Sequence, residues 1–226
     1  MLSKKGVDYL AGSLLLGLVV SVIAAVIMTP LMNETFRDNG SELLTKIADD
    51  SGRFAAFIFM DIVSNLFGLA AAVGLYMVFR SHDRNLALLG TAGFLAAAVL
   101  FLTGDMMNIS LQALAQDYAA ASGAAADSIF YSAQAISFMA EASFIIGATV
   151  MSLGILSYGL IVLRTGAVPK WIGYFGVLAG VVAPFGGLHY LESSLVNIAF
   201  VGMMLALVFA LFTGGWLIVK GSKEAA

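Results

Sequence analysis

Long uncharged runs separated by short polar segments dominate the pattern of residues along this chain. Six of these runs are long enough to cross a bilayer as helices, which takes about 20 residues for a hydrocarbon core of ~30 Å. They lie at about residues 7–30, 54–79, 86–108, 132–163, 171–190 and 195–219. The pattern therefore predicts an all-α fold, a polytopic integral membrane bundle of six transmembrane helices, formed as one domain over residues 1–226.

Composition agrees with a membrane protein and narrows the chemistry. The chain is 61% hydrophobic and 11% charged, whereas about a quarter of the residues of a soluble domain are charged. It contains no cysteine and only two histidines, which excludes disulfides, iron–sulfur clusters and thiol catalysis. No basic cluster suggests a nucleic-acid partner. We expect the lipid bilayer as the main partner and no cofactor, and a homo-oligomer or a membrane partner protein stays open.

The positive charges predict how the helices are oriented. Eight of the eleven Lys and Arg residues fall in loops on one side and three in loops on the other. The positive-inside rule then places both termini in the cytoplasm, and the connections 31–53 and 109–131 outside. In the first connection, Leu43, Leu44 and Ile47 favour a short interfacial helix. In the second, residues 112–121 are expected to extend the third helix.

The fifth run, from Pro169 to Glu192, has the most detailed pattern. A cation and an aromatic ring at its start, Lys170 and Trp171, are typical of a water–lipid boundary. Glycines at 173, 176 and 180 favour close approach of another helix. Pro184 lacks an N–H group, so the Gly180 carbonyl loses its usual helical partner. We expect a kink or an unwound turn between Gly180 and His189.

The segment RTGAVPKWIG, which begins at Arg164, follows the long fourth run and precedes the glycine-rich fifth run. In this context it resembles a bacterial family of six-helix membrane proteins, catalogued as domain of unknown function 4386. The similar layout covers nearly the whole chain, and the specific match is the short stretch from Arg164 to Gly180. The resemblance implies the fold, the orientation and the cytoplasmic (inner) membrane of a bacterium or archaeon. It implies no activity and no functional residue.

Ionisable residues inside membrane spans are the candidates for a site. A charged side chain is energetically costly there, so such residues are usually retained for a function. Asp61, Asp105, Glu141 and His189 all lie roughly 28 to 35 Å from the cytoplasmic anchors, at 1.5 Å of rise per helical residue. Polar or small residues share the helix faces of the three acids, which points them into the bundle. We expect an outward-facing acidic pocket with these candidate ligand-binding residues: Asp61, Asn65, Asp105, Asn108, Glu141, His189 and Glu192.

Three uses of such a pocket remain open. The first is binding or transport of a cationic or polar small solute, with proton exchange at clustered carboxylates. The second is a structural or accessory role, in which the acids hold helices together without chemistry of their own. The third is a metal-dependent membrane enzyme, because His189 and Glu192 could reach one ion if their turn stays helical. No catalytic motif is recognisable in the chain, and whether it is an enzyme stays undecided.

Overall fold

A computed structural model describes residues 4–28, 36–185 and 196–223 of the chain. Within these ranges the chain is helical apart from short turns, and no strand occurs. The helices are α1 (Lys4–Met28), α2 (Phe36–Asp49), α3 (Ser51–Phe79), α4 (Arg84–Ala120), α5 (Ala124–Thr165), α6 (Lys170–Val182) and α7 (Val196–Lys223). The predicted all-α fold class is confirmed.

In the part of the chain that the structure describes, four helices are long and apolar enough to cross a membrane: Gly6–Ala25 within α1, and the whole of α3, α4 and α5. Two shorter apolar segments, Lys170–Phe185 and Met204–Lys220, belong to α6 with the turn after it and to α7. Helices of this length and composition need a hydrocarbon environment on their outer faces. They indicate that the protein is embedded in a lipid bilayer.

The observed helices α4 and α5 are longer than the apolar runs that predicted them. The α4 helix continues to Ala120, which confirms that residues 112–121 largely extend the third predicted helix. The α5 helix begins at Ala124, before the predicted start at 132. Alanine has the highest helix propensity, so the alanine-rich start of α5 is helical although it does not belong to a long apolar run.

The chain forms two compact units, and four helices contribute residues to both. The first unit comprises Met1–Leu18, Asn65–Leu100 and Ile145–Ala226. The second comprises Val19–Ser64 and Phe101–Phe144. Each unit has its own buried apolar cluster, so the two cores are described separately.

The core of the first unit is organised around the ring of Tyr158, which is fully buried. Its hydroxyl forms a hydrogen bond of 2.7 Å with the Thr91 hydroxyl. The ring centroid lies 5.4 Å from that of Phe79 and 5.9 Å from that of Phe94. The Tyr158 hydroxyl therefore has a hydrogen-bond partner inside an apolar cluster, as the hydroxyl of a buried tyrosine usually does.

Close approach of α6 to its neighbours depends on the predicted glycines. A Cβ atom at Gly176 would lie 2.8 Å from the Phe209 ring of α7, and one at Gly180 would lie 2.7 Å from the Cα atom of Leu156 on α5. Either contact is too close for a real side chain, so glycine is required at both positions. The prediction that this glycine face packs against other helices is confirmed.

The α6 helix ends where Pro184 predicts a disturbance. Its last α-helical residue is Val182, and Ala183, Pro184 and Phe185 form a 3₁₀ turn. The expected unwound turn therefore begins at Ala183, inside the predicted interval. The predicted orientation of His189 lies outside the described residues.

The α2 helix exists, but its apolar face packs against protein. Leu44 and Ile47 are fully buried and Leu43 is nearly so. All three belong to the core cluster of the second unit, together with Phe54 and Ile58 of α3, Leu111 and Ala115 of α4, and Ala133 of α5. The short helix expected here is therefore present, and its leucines and isoleucine bury their apolar surface against other helices of the second unit.

Candidate functional site

Two acidic side chains of the second unit meet between α3 and α4. The Asp61 and Asp105 carboxyl groups are joined by a side-chain hydrogen bond. Asp105 is only 3% exposed and Asp61 is partly buried. An ionised carboxylate can accept a hydrogen bond but cannot donate one, so one of the two carboxyl groups must carry a proton in this geometry.

Helices of the second unit are in contact next to this pair. At Gly104, beside Asp105, α4 lies in ordinary contact distance of α5, since a Cβ atom there would lie 3.6 Å from the Ala140 carbonyl oxygen. In the same unit, the Ser21 and Ser64 hydroxyls form a hydrogen bond of 2.6 Å between α1 and α3. Hydrogen bonds between helices are characteristic of membrane bundles, where small residues permit close contact.

The remaining predicted acid of this unit, Glu141, is partly buried on α5, and Asn108 is partly buried on α4, one turn after Asp105. Among the residues that the structure describes, no three His, Cys, Asp or Glu side chains lie close enough together to hold a metal ion. Asp61, Asp105 and Glu141 therefore do not form a three-carboxylate metal site. Asp61 and Asp105 interact directly through their side chains.

The remaining predicted site residues are Asn65, His189 and Glu192. Asn65 follows Asp61 by one turn of α3 but belongs to the first unit, where it is partly buried. His189 and Glu192 fall outside the described ranges 4–28, 36–185 and 196–223. His82 is exposed in the turn after α3.

Sequence reasoning missed one polar region, which lies in the first unit. Asp8, in the second turn of α1, is only 3% exposed and lines a cavity together with Ser81, His82 and Lys220. The signal was present in the sequence as an acidic residue at the start of an apolar run. Because Lys4 and Lys5 lie nearby, this start of the run resembles an ordinary charged flank, and Asp8 does not stand out.

Comparison with known families identifies the chain's relationship. The family model described as Domain of unknown function (DUF4386) matches residues 10–221. The chain belongs to this family. The match extends from α1 to α7, so it covers the whole of the second unit of this DUF4386 protein and most of the first. No curated protein and no solved structure matches the chain.

Proposed function

We propose that this DUF4386 protein is a six-helix protein of the bacterial or archaeal cytoplasmic membrane that binds or transports a cationic or polar small solute. The binding groups are the Asp61 and Asp105 carboxyls, with Glu141 and Asn108 of the same unit as further ligands. The observation that supports the proposal is the hydrogen bond between two carboxyl groups inside two apolar spans. Ionisable groups at such positions are most often functional.

The chemistry of the pair suits exchange between a proton and a cation. With its hydrogen bond formed, the pair carries one negative charge. A cation that displaces the shared proton would be held by two carboxylates, and the total charge of the site would not change for a monovalent ion. Oxygen ligands of this kind suit small hard cations and protonated amines. The proposal therefore couples solute binding to release of a proton.

The same hydrogen bond also supports the alternative, a structural or accessory role. It joins α3 to α4, and polar side chains between membrane helices hold bundles together without binding any solute. The two roles differ in one respect that can be measured. A binding site responds to the identity and concentration of a cation, and a purely structural contact does not.

Thermal melting of the purified protein tests this difference. A solute that binds only the folded state raises the melting temperature. At a concentration 100 times its Kd, it adds about 2.7 kcal/mol to the free energy of unfolding. We expect at least one monovalent cation or primary amine to stabilise the wild type in this way. Asp61→Asn is expected to abolish the stabilisation. Asp117→Asn, a matched change of an exposed residue on α4, should retain it. If no cation or amine shifts the wild-type melting temperature, the structural role is favoured.

Orientation can be tested independently, because the chain contains no cysteine. Single cysteines at Ser41, Ser122 and Asn85 would all be exposed. We expect an impermeant thiol reagent to label positions 41 and 122 in intact cells, and position 85 only after the membrane is opened. Labelling of position 85 from outside would reverse the proposed orientation.

A further inference from the structure

The first unit contains a cavity of about 320 Å³ at the ends of its apolar segments. Its lining comes from the first turns of α1, the end of α3 with the turn after it, the turn between α5 and α6, and the last turn of α7. At three of these places an apolar segment begins or ends: Gly6–Ala25, Ser51–Phe79 and Met204–Lys220. The ends of apolar spans lie at the boundary between hydrocarbon and water, so this cavity lies at the level of the lipid headgroups.

Two acidic residues at or next to this cavity are engaged by other groups of the protein. Asp8, which lines the cavity and is only 3% exposed, has an interaction partner within the chain. Asp83 accepts a hydrogen bond of 3.0 Å from the Leu86 N–H, and its carboxylate lies 3.7 Å from the guanidinium group of Arg164. Neither carboxylate therefore needs a cation from a ligand.

The groups that the cavity offers to a ligand are N–H donors. The His82 ring is held in place by its Nδ1 atom, 3.3 Å from the Ser81 hydroxyl, and by an edge contact with the buried Phe79 ring. A neutral imidazole that accepts a hydrogen bond at Nδ1 carries its proton on Nε2, and a charged imidazole carries a proton on both nitrogens. Lys220, partly buried on α7, adds an ammonium group with three donors. These groups favour an anion.

Positive charge and apolar surface adjoin each other here. Arg80 and Arg84 are exposed on either side of the turn that carries His82. Val7 and Met77, both partly buried, line the cavity beside these polar groups. A free anion would use only the charged part of this surface. A phospholipid has an anionic phosphate and an apolar chain in one molecule, and basic pockets at the ends of membrane helices attract anionic lipids.

We propose that this cavity binds the headgroup of an anionic phospholipid, with its phosphate on Lys220 and His82 and the start of an acyl chain along the apolar lining. A lysine is a suitable point charge for phosphate. A headgroup with net negative charge is preferred to a zwitterionic one, because the nearby carboxylates are engaged and the two arginines add positive charge. The site belongs to the first unit, whereas Asp61 and Asp105 belong to the second, and it does not depend on the function proposed for that pair.

Lipid titrations of the full-length, delipidated protein test the proposal. Native mass spectrometry and thermal melting would be recorded with phosphatidylglycerol, phosphatidylethanolamine and soluble glycerol phosphate. We expect phosphatidylglycerol to bind most tightly, because phosphatidylethanolamine carries no net charge and glycerol phosphate has no acyl chain. Equal affinity for the two lipids would overturn the proposal. Binding of glycerol phosphate as tightly as phosphatidylglycerol would also overturn it and would indicate a soluble phosphate ester as the ligand.

Variants distinguish this site from general attraction between lipids and basic residues. Lys220→Gln should weaken phosphatidylglycerol binding by about tenfold, the effect of losing one charge-assisted hydrogen bond. His82→Ala, a change of an exposed residue, should weaken it in the same direction. Lys170→Gln removes an exposed lysine at the start of α6 that does not line the cavity, and it should bind as the wild type does. Equal losses in Lys220→Gln and Lys170→Gln would contradict the assignment, because lipid binding would then follow total positive charge.

Discussion

Replacing Gly74 by alanine should destabilise the protein by about 3 kcal/mol, the upper end of the usual cost of overpacking. A Cβ atom at Gly74 of α3 would lie 2.6 Å from the Cα atom of Ala11 and 2.6 Å from the carbonyl carbon of Leu10, both on α1. These are backbone atoms, which cannot rotate away as a side chain can. The two helices would have to separate, and the buried contacts of Ala11 and Leu14 in the first core would be lost.

Gly68 provides the matched control on the same helix. Nothing lies within 4 Å of a Cβ atom placed there. Gly68→Ala should therefore be neutral or stabilising by up to about 1 kcal/mol, because alanine has the higher helix propensity. Unfolding of both variants in mixed micelles, followed by circular dichroism, measures the difference. Equal stability of the two variants would show that α1 and α3 do not approach as closely as the structure indicates.

Replacing Asp105 by alanine should cost about 1–3 kcal/mol of unfolding free energy, because it leaves the Asp61 carboxyl without its partner. Asp105→Asn should be much less harmful, since its amide group can donate a hydrogen bond to an ionised Asp61. Asp117→Ala, on an exposed position of the same helix, should change stability by no more than about 0.5 kcal/mol.

A double-mutant cycle with Asp61→Ala separates the pair's own contribution from the other effects of each change. Hydrogen bonds between membrane helices give coupling energies of about 0.6 kcal/mol on average and about 1.7 kcal/mol at most. We expect a value in this range for Asp61 and Asp105. Infrared spectroscopy adds a direct readout, a band of a protonated carboxyl group that is lost in Asp105→Asn. If the two substitutions change the unfolding free energy in a strictly additive way and no band of a protonated carboxyl group is seen, the hydrogen-bonded pair is contradicted.

The features that sequence predicted well are those that depend on local covalent structure. The spacing of Gly173, Gly176 and Gly180 places them on one helix face whatever the fold, and a face without side chains permits close packing. Pro184 disturbs a helix because it lacks an N–H group, independently of its neighbours. The four long apolar helices α1, α3, α4 and α5 follow in the same way from the length of the apolar runs.

The features that sequence predicted poorly depend on which helix faces meet. Distance from the membrane boundary placed Asp61, Asp105 and Glu141 at a similar level, but level does not fix the rotation of a helix. The structure joins the first two carboxyls by a hydrogen bond, and the residues that it describes contain no metal-binding group of three. The α2 sequence alone likewise does not reveal that Leu44 is buried in one cluster with residues of α3, α4 and α5.

The docking of α2 in the second unit has a consequence for the order of events during synthesis. Leu44 and Ile47 pack against Leu111, Ala115 and Ala133, and the last of these follows Leu44 by about 90 residues. At about 5–20 residues per second, the chain that completes this core emerges roughly 5 to 20 seconds after α2 itself. During that interval the apolar face of α2 has no complete binding surface. We therefore expect a nascent chain that stops before α5 to be cleaved by proteases within α2, and a chain that includes α5 to be protected there.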